Sequence, residues 1–253
     1  MKSVTKFFIL AALLAQASAF GQKSVTDQKL VWYGYVLNMR LNKQWYLQTE
    51  AEERHFMNPV VQHQVLVRTH LHRSLGNSGW ETSAGMCLFL QNPNKPGETA
   101  GLTIPELRPH VEFSNKQTFP RFTLDHRYKA EARFFHNTNA SRTELEDGFA
   151  FGNFRLRYRL QATIPIVKID DKRSIKVKVS DEILVNAGTK IVTNMFDQNR
   201  IYCGAGIDLL PNLTFEAGYL NWFQQTATGS FFNRHILRFT LVHKINLQKQ
   251  KSE

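Results

Sequence analysis

A strict alternation of apolar and charged side chains is the feature that most constrains how this chain can fold. Residues 154–161 read Phe-Arg-Leu-Arg-Tyr-Arg-Leu-Gln, so Arg155, Arg157, Arg159 and Gln161 fall on one set of alternate positions. Successive side chains of a β-strand point to opposite faces, whereas a helix would mix the two sets. The segment is therefore predicted to be a β-strand with two chemically unlike faces.

The same alternation recurs along the chain, and no stretch of useful length has a helical period. In residues 124–134, acidic and basic side chains alternate with Leu, His, Tyr, Ala and Phe, and Lys176 and Lys178 alternate with Ile and Val. This pattern predicts an all-β fold. The predicted strands are 31–41, 45–54, 64–73, 80–90, 107–113, 124–134, 154–161, 175–179, 200–209, 213–223 and 233–244.

The connections between these segments are of two kinds. Asn, Asp and Gly tolerate the backbone angles of tight hairpins, which predicts short turns at 42–43, 76–79, 115–116, 170–172 and 211–212. Longer loops are predicted at 91–105, 135–148, 187–199 and 225–231. Short turns at one end and long loops at the other are typical of outer-membrane barrels.

The first nineteen residues have the three-part layout of a secretory signal peptide. Lys2 and Lys6 precede the apolar run 7–15, and Ala17-Ser18-Ala19 supplies the small residues that cleavage requires. The run is too short for a spanning helix, which needs about 20 residues. We therefore predict cleavage near Ala19, export by a bacterium, and a single β-barrel domain over residues 20–253.

The exported chain is basic. Loss of Lys2 and Lys6 lowers the formal charge from +11 to +9. A positive balance favours nucleic acid, an acidic membrane surface or an acidic ligand, and export argues against nucleic acid. Cys87 and Cys203 permit one disulfide in an oxidising compartment but no disulfide framework.

Alternation alone does not decide whether the apolar face meets lipid or a protein core. Three features favour lipid: segments near the ~10 residues that cross a bilayer, aromatic residues near segment ends, and acids and bases that share one face. An Arg turned toward lipid costs roughly 2–4 kcal/mol at mid-bilayer, so the arginine face of a barrel points inward. A soluble exported β-protein that binds a ligand is the alternative.

The count of eleven segments conflicts with the even strand numbers of single-chain bacterial barrels. A hidden strand near 57–61 or before Val31 would give twelve, and one wrongly divided segment would give ten. We predict an antiparallel, up-and-down transmembrane barrel of twelve strands with a polar, charged lumen, present as a monomer in the outer membrane. Outer-membrane lipids and the machinery that assembles barrels are its expected partners.

Several ordered motifs of the mature chain resemble one protein family. They are Trp32-Tyr33-Gly34-Tyr35, Asp125-His126-Arg127-Tyr128, Phe154-Arg155-Leu156-Arg157-Tyr158, Ser180-Asp181-Glu182-Ile183, Asp197-Gln198-Asn199-Arg200, Glu216-Ala217-Gly218-Tyr219-Leu220 and His235. In this order they are similar to domain-of-unknown-function family 2490, whose members are predicted outer-membrane barrels. The resemblance implies the barrel and its location, and it brings no activity.

Two constellations of catalytic or ligating residue types are weak. His72 and Ser74 share a strand face, as the His and Ser of outer-membrane phospholipases do, but a turn follows at once and the Asn-rich context is missing. His63, His70 and His72, with Glu52 or Glu112, could bind zinc, but no second ligand pair has a telling spacing.

No cofactor, bound metal or catalytic residue is predicted. Gly204-Ala205-Gly206 lacks the lysine and the helix of a nucleotide loop. It is interpreted instead as part of a strand that needs close packing or a bend.

The strongest constellation is a charged cluster predicted to face the lumen. A cationic lumen could bind or pass anions. Alternatively, its cations could pair with acids such as Asp125 and simply close the interior. The predicted cluster consists of Arg127, Glu131, Arg133, Arg155, Arg157, Arg159, Lys176, Lys178, Glu182, Arg200 and Glu216.

These observations predict an outer-membrane barrel that is structural or forms a narrow passage, rather than an enzyme. Basic loop residues such as Lys190 and Arg200 could contact lipid phosphates. A lipid-modifying barrel enzyme and a soluble exported ligand-binding protein are the alternatives.

Overall fold

A computed structural model of the protein describes residues 24–97, 101–171, 173–189, 191 and 194–248. The predicted signal peptide and its cleavage site lie outside these residues. Within them, no helix has the length and apolarity needed to cross a membrane. The strands are β1 (Val25–Arg40), β2 (Trp45–Met57), β3 (Val60–Ser74), β4 (Trp80–Gln91), β5 (Ile104–Thr118), β6 (Thr123–Thr138), β7 (Leu145–Lys168), β8 (Ser174–Ala187), β9 (Phe196–Leu210), β10 (Leu213–Gln225) and β11 (Phe231–Asn246).

The eleven strands form one closed barrel, so the all-β prediction is confirmed. Each strand pairs antiparallel with its neighbour in sequence, and β1 pairs with β11 to close the sheet. Because strand direction alternates, the first and last of an odd number run the same way. The β1–β11 seam is accordingly parallel, with Val25 beside Phe231 and Arg40 beside Asn246.

The prediction of twelve strands is not confirmed. Each predicted segment corresponds to one strand of the described chain. Of the two places suspected of hiding another strand, 57–61 contains the turn between β2 and β3, and the residues before Val31 extend β1 back to Val25. The alternation had given the correct number of described strands. The prediction of twelve rested on the even strand numbers of bacterial barrels, which a barrel closed through a parallel seam does not require.

The connections define two ends of the barrel. The turn end carries connections of two to five residues, at 41–44, 75–79, 119–122, 169–173 and 211–212. The loop end carries connections at 58–59, 92–103, 139–144, 188–195 and 226–230. The turn predicted at 115–116 is wrong because β5 continues to Thr118, and the two-residue connection at 58–59 departs from the expected long loops.

The outer face of the barrel carries large apolar side chains on every strand, and no part of the described protein covers it. One large side chain from each strand, all 42–51% exposed, illustrates this: Tyr33, Met57, Val67, Leu88, Val111, Tyr128, Leu156, Ile183, Ile201, Tyr219 and Leu237. A one-residue slip would exchange this face with the charged one, so the pattern specifies the register strongly.

Candidate functional site: a charged lumen

An apolar cluster fills the middle and the loop-end half of the lumen. The rings of Trp32 and Trp222 pack edge to face with their centroids 5.6 Å apart. Such geometry is favoured by the ring quadrupoles. These two rings and the apolar side chains packed around them are almost completely buried. The cluster consists of Leu30, Trp32, Phe56, Tyr202, Leu220, Trp222 and Ile236.

The β4–β5 connection adds a polar layer at the loop end. The side-chain oxygen of Asn94 accepts a hydrogen bond from Arg234 Nη2 at 2.9 Å and lies 3.2 Å from His63 Nε2. The carbonyl of Asn94 accepts from Gln28 Nε2 at 2.8 Å. One loop residue is thereby bonded to side chains of β1, β3 and β11.

Arg234 is fully buried beneath this layer. Its guanidinium carbon lies 4.3 Å from the ring centre of Trp222, and its Nε donates to Gln28 Oε1 at 2.7 Å. A further hydrogen bond runs to Gln224. Its positive charge is therefore held by neutral acceptors and an aromatic face rather than by a described carboxylate.

Ion pairs fill the lumen beside the apolar cluster. Glu106 accepts bidentate hydrogen bonds from Arg108 at 2.6–2.7 Å and from Arg133 at 2.5–3.0 Å. Arg155 Nε lies 2.9 Å from Asp197 Oδ2. All five side chains project from lumen-facing positions of β5, β6, β7 and β9.

A second network crosses the centre of the barrel. Glu182 accepts from Arg157 at 2.9–3.0 Å and from Arg127 at 2.5 Å. Arg157 also donates to Glu131 at 2.9 Å, and Lys129 Nζ lies 3.6 Å from the same carboxylate. Since an unpaired buried charge is strongly unfavourable, this reciprocal pairing accounts for how so many charges are accommodated inside.

The turn-end half of the lumen holds a cavity of about 910 Å³, the turn-end vestibule. Trp32, Arg54 and Arg200 line its inner end, and the exposed residues Arg40 and Lys244 line its mouth. Eleven Lys and Arg side chains line it against seven Asp and Glu, a formal excess of four positive charges. The vestibule is therefore a cationic cavity open at one end.

Five of the vestibule's cations make no ion pair with a carboxylate of the described residues. Two of them lie deep in the cavity: the Nε atoms of Arg159 and Arg238 are inaccessible to solvent and have no hydrogen-bond partner. The other three are at the mouth. The set is Arg40, Lys116, Arg159, Arg238 and Lys244.

Glycine makes room for an aromatic ring at the wall of the vestibule. A Cβ added to Gly218 would lie 2.6 Å from Tyr202 Oη and 2.7 Å from the carbonyl oxygen of Cys203. Real Cβ atoms do not approach other atoms this closely. Gly204, which the sequence indicated as a close-packing position, lies against the same Tyr202 hydroxyl.

A family of proteins described as "Protein of unknown function (DUF2490)" matches residues 30–233, which run from β1 into β11. The chain belongs to this family. The match confirms the resemblance seen in the ordered motifs, and it carries no activity. A comparison with curated proteins finds no match.

In this DUF2490 barrel, the residues of the predicted cluster occupy lumen-facing positions in different settings. Arg133 and Arg155 belong to the ion pairs beside the apolar cluster, while Lys178 pairs with Glu216 and Lys176 Nζ lies 3.0 Å from Asp208. Arg159 projects into the vestibule without an ion pair to a described carboxylate. The central network contains Arg127, Glu131, Arg157, Glu182 and Arg200.

Two expectations for individual charges need revision. Arg200 was named both as a lumenal charge and as a contact for lipid phosphates, and it lies inside the barrel with its guanidinium carbon 4.9 Å from the Trp222 ring centre. Asp125 lines the vestibule but forms no ion pair with a described Lys or Arg. Lys190 lies outside the described residues.

Several lumenal charges were missed by sequence reasoning. Arg108 and Glu112 stand on the polar face of a predicted strand but are not in the predicted cluster, and following that face two residues back would have found Glu106. Asp197 stood just before the predicted start of its strand. Among the described residues Arg234 has no acidic partner, and its burial has no signal in the local sequence.

The alternative centres do not assemble in the described chain. His72 Nδ1 lies 2.8 Å from Glu81 Oε1, and no hydrogen bond joins His72 to Ser74. His70 Nδ1 lies 3.2 Å from His110 Nε2. Among the described residues, no group of three or more His, Cys, Asp or Glu is arranged to hold a metal ion.

The two cysteines are free and face different environments. Cys87 is buried in the lumen beside Leu66 and Phe89, whereas Cys203 is exposed on the outer face of β9. The disulfide that the sequence permitted is not formed in this structure.

Proposed function

We propose that this DUF2490 protein is an integral outer-membrane β-barrel whose lumen is occluded, so that its role in the membrane is not that of an open pore. The observation that carries the proposal is the inversion of its two faces. Large apolar side chains stand outward on all eleven strands, and most of the charged side chains of the strands stand inward. This is the arrangement that a hydrocarbon surrounding stabilises.

The outer face also argues against the soluble alternative. Soluble monomers rarely expose contiguous apolar patches larger than about 300–600 Å². Here the apolar face extends around the whole closed barrel, and the predicted signal peptide supplies a route to the outer membrane. In the orientation usual for bacterial barrels, the turn end and the vestibule face the periplasm.

The filling of the loop half argues against a free passage. An ion that crossed the lumen would have to displace the apolar cluster, the bonds of Asn94 and the Glu106 ion pairs. Parting a buried ion pair costs about 3–5 kcal/mol when one partner is lost. We therefore assign the paired lumenal charges a structural role.

One observation favours a second candidate, a lipid-modifying enzyme. On the outer face near the loop end, His235 Nδ1 lies 2.6 Å from Tyr219 Oη and His235 Nε2 lies 3.6 Å from Asp27 Oδ1. An acid, an imidazole and a hydroxyl in a row can activate the hydroxyl as a nucleophile. Asn233 Nδ2 donates to Asp27 Oδ1 at 2.7 Å and lies 3.2 Å from His235 Nε2, so the amide is nearer to both groups than they are to each other.

Fractionation of the producing cell tests the first proposal. We expect the protein in the outer-membrane fraction, with faster gel mobility before boiling than after it, because a folded barrel resists the detergent. In planar bilayers we expect no stepwise conductance, with a general porin as the positive control. Recovery in the soluble periplasm would overturn the membrane assignment, and porin-like steps would overturn the occluded lumen.

Lipid analysis of a deletion strain tests the second candidate. A changed acyl composition that a His235→Ala copy fails to restore would support an enzyme at this outer-face cluster. An unchanged acyl composition in the deletion strain would contradict the enzyme hypothesis.

A further inference from the structure

We propose that the turn-end vestibule is a binding site for a small soluble anion that carries at least two negatively charged oxygen groups, such as phosphates or carboxylates. The inference deepens the occluded-barrel proposal and rests on it for the side from which the ligand enters. Five cations of the vestibule have no described carboxylate partner, and this observation supports the site.

The vestibule has the size of a ligand site. Small-molecule pockets commonly enclose about 300–1,000 Å³, and the vestibule encloses about 910 Å³. Its inner end is closed by Trp32, where the guanidinium carbon of Arg54 lies 3.7 Å from the ring centre. A molecule that enters from the turn end is therefore retained at the floor instead of passing through.

Five of the seven carboxylates that line the vestibule already pair with a described Lys or Arg. Glu50 accepts two hydrogen bonds from Arg68 at 2.6–2.7 Å, and Glu52 accepts one from Arg54 at 3.1 Å. Glu182 and Glu216 are held by the central network and by Lys178. These acids are held by other cations, and none of them forms an ion pair with the remaining cations.

Arg159 on β7 and Arg238 on β11 are the two deep cations that form no ion pair with a described carboxylate. Each has a solvent-inaccessible Nε without a hydrogen-bond partner, while both side chains line the same cavity. If the lumen were only filled by structural ion pairs, two buried Nε–H groups without an acceptor would be a net cost. An oxyanion between them would satisfy both, since a guanidinium binds carboxylate and phosphate through paired N–H groups.

The mouth is arranged to attract such an anion. Arg40, Lys116 and Lys244 are exposed there and lack described carboxylate partners. Rings of Lys and Arg favour anions, and a low-dielectric wall strengthens their field. The ligand is a soluble molecule rather than a lipid, because the barrel wall is a closed sheet through which no lipid can enter the vestibule from the bilayer.

Calorimetric titration of the folded barrel in zwitterionic detergent tests the site. The probes are inorganic pyrophosphate and citrate, which separate phosphate from carboxylate recognition. We expect saturable binding of at least one probe that weakens with added salt. The double variant Arg159→Gln/Arg238→Gln should lower the affinity at least tenfold, and Arg159→Lys should lower it less because the charge remains.

Arg121→Gln is the matched control, since Arg121 is exposed in the β5–β6 turn at the same end and does not line the vestibule. It should bind like the unmodified protein. Heat-modifiable gel mobility shows that each variant is folded. Absence of binding at millimolar probe, or equal affinity in the double variant, would overturn the site. Because the assay uses no membrane, a failure to bind would not contradict the outer-membrane proposal. Recovery of the protein from the soluble periplasm would in turn not contradict the binding result.

Discussion

Single carboxylates inside this barrel each neutralise several cations. Glu182 has a side chain 8% exposed, accepts hydrogen bonds from Arg127 and Arg157, and lies 4.0 Å from Arg200. Glu106 likewise forms ion pairs with both Arg108 and Arg133. The loss of either carboxylate would therefore weaken the pairing of at least two buried arginines at once.

Glu182→Gln is expected to lower the free energy of unfolding by about 3–5 kcal/mol, the cost of breaking a buried ion pair by removing one partner. Urea unfolding of the barrel refolded in lipid vesicles measures it. Asp171→Asn is the control, because Asp171 pairs with Lys168 in an exposed turn with side chains 95% and 71% exposed. Such surface pairs contribute about 0–1 kcal/mol. Equal effects of the two substitutions would contradict the role given to Glu182.

At the scale of strands and loops, the sequence predicts what is periodic and misses what is not. The two faces of a strand repeat every second residue, so all eleven strands and the lumenal side of Arg155, Arg157 and Arg159 could be found from the order of residues alone. Turn composition was less specific: Asn115-Lys116 has turn-forming chemistry, yet β5 continues through it to Thr118. Pairing to β4 and β6 outweighs the local preference there.

Contacts between distant segments leave no periodic trace. The hydrogen bond from Arg234 to Asn94 joins residues 140 positions apart, and that from Arg234 to Gln28 joins residues 206 apart. Which acid pairs with which base is likewise decided by the barrel's closure and register. The lumenal charges could therefore be predicted as a set, but the closed loop end and the free pair Arg159 and Arg238 could not.

The β4–β5 connection is the element that Asn94 holds against the barrel. Asn94→Ala removes the side-chain contacts with Arg234 and His63. We expect this loop to become more accessible, so limited proteolysis of the folded barrel should cut within 92–103 several times faster. Asn139→Ala is the control, because the Asn139 side chain bonds only Thr143 and Glu144 of its own loop. Equal cleavage of 92–103 in both variants would show that Asn94 does not restrain the connection.

At the scale of the whole molecule, the odd strand number explains how the barrel closes. Ten antiparallel hairpin pairs leave β1 and β11 pointing the same way, and sixteen consecutive residue pairs from Val25–Phe231 to Arg40–Asn246 form the parallel seam. Parallel ladders are slightly less stable per residue than antiparallel ones. The seam extends over the full length of β1, and as a further consequence of the odd strand number β1 begins at the loop end whereas β11 ends at the turn end.

The seam can be tested by cross-linking across it. Val31 and Leu237 are register partners, and adjacent strands lie about 4.8 Å apart. In a Cys203→Ser background, which removes the exposed thiol, Val31→Cys with Leu237→Cys should be joined within one chain by a bifunctional thiol reagent of about 5 Å span. Val31→Cys with Leu241→Cys is the matched control, because a shift of four residues moves the second thiol roughly 13 Å along the strand. Mass spectrometry of the digested barrel identifies the linked peptides. Preferential linkage of the control pair would place β11 in another register, and linkage of neither pair would mean that the barrel does not close between β1 and β11.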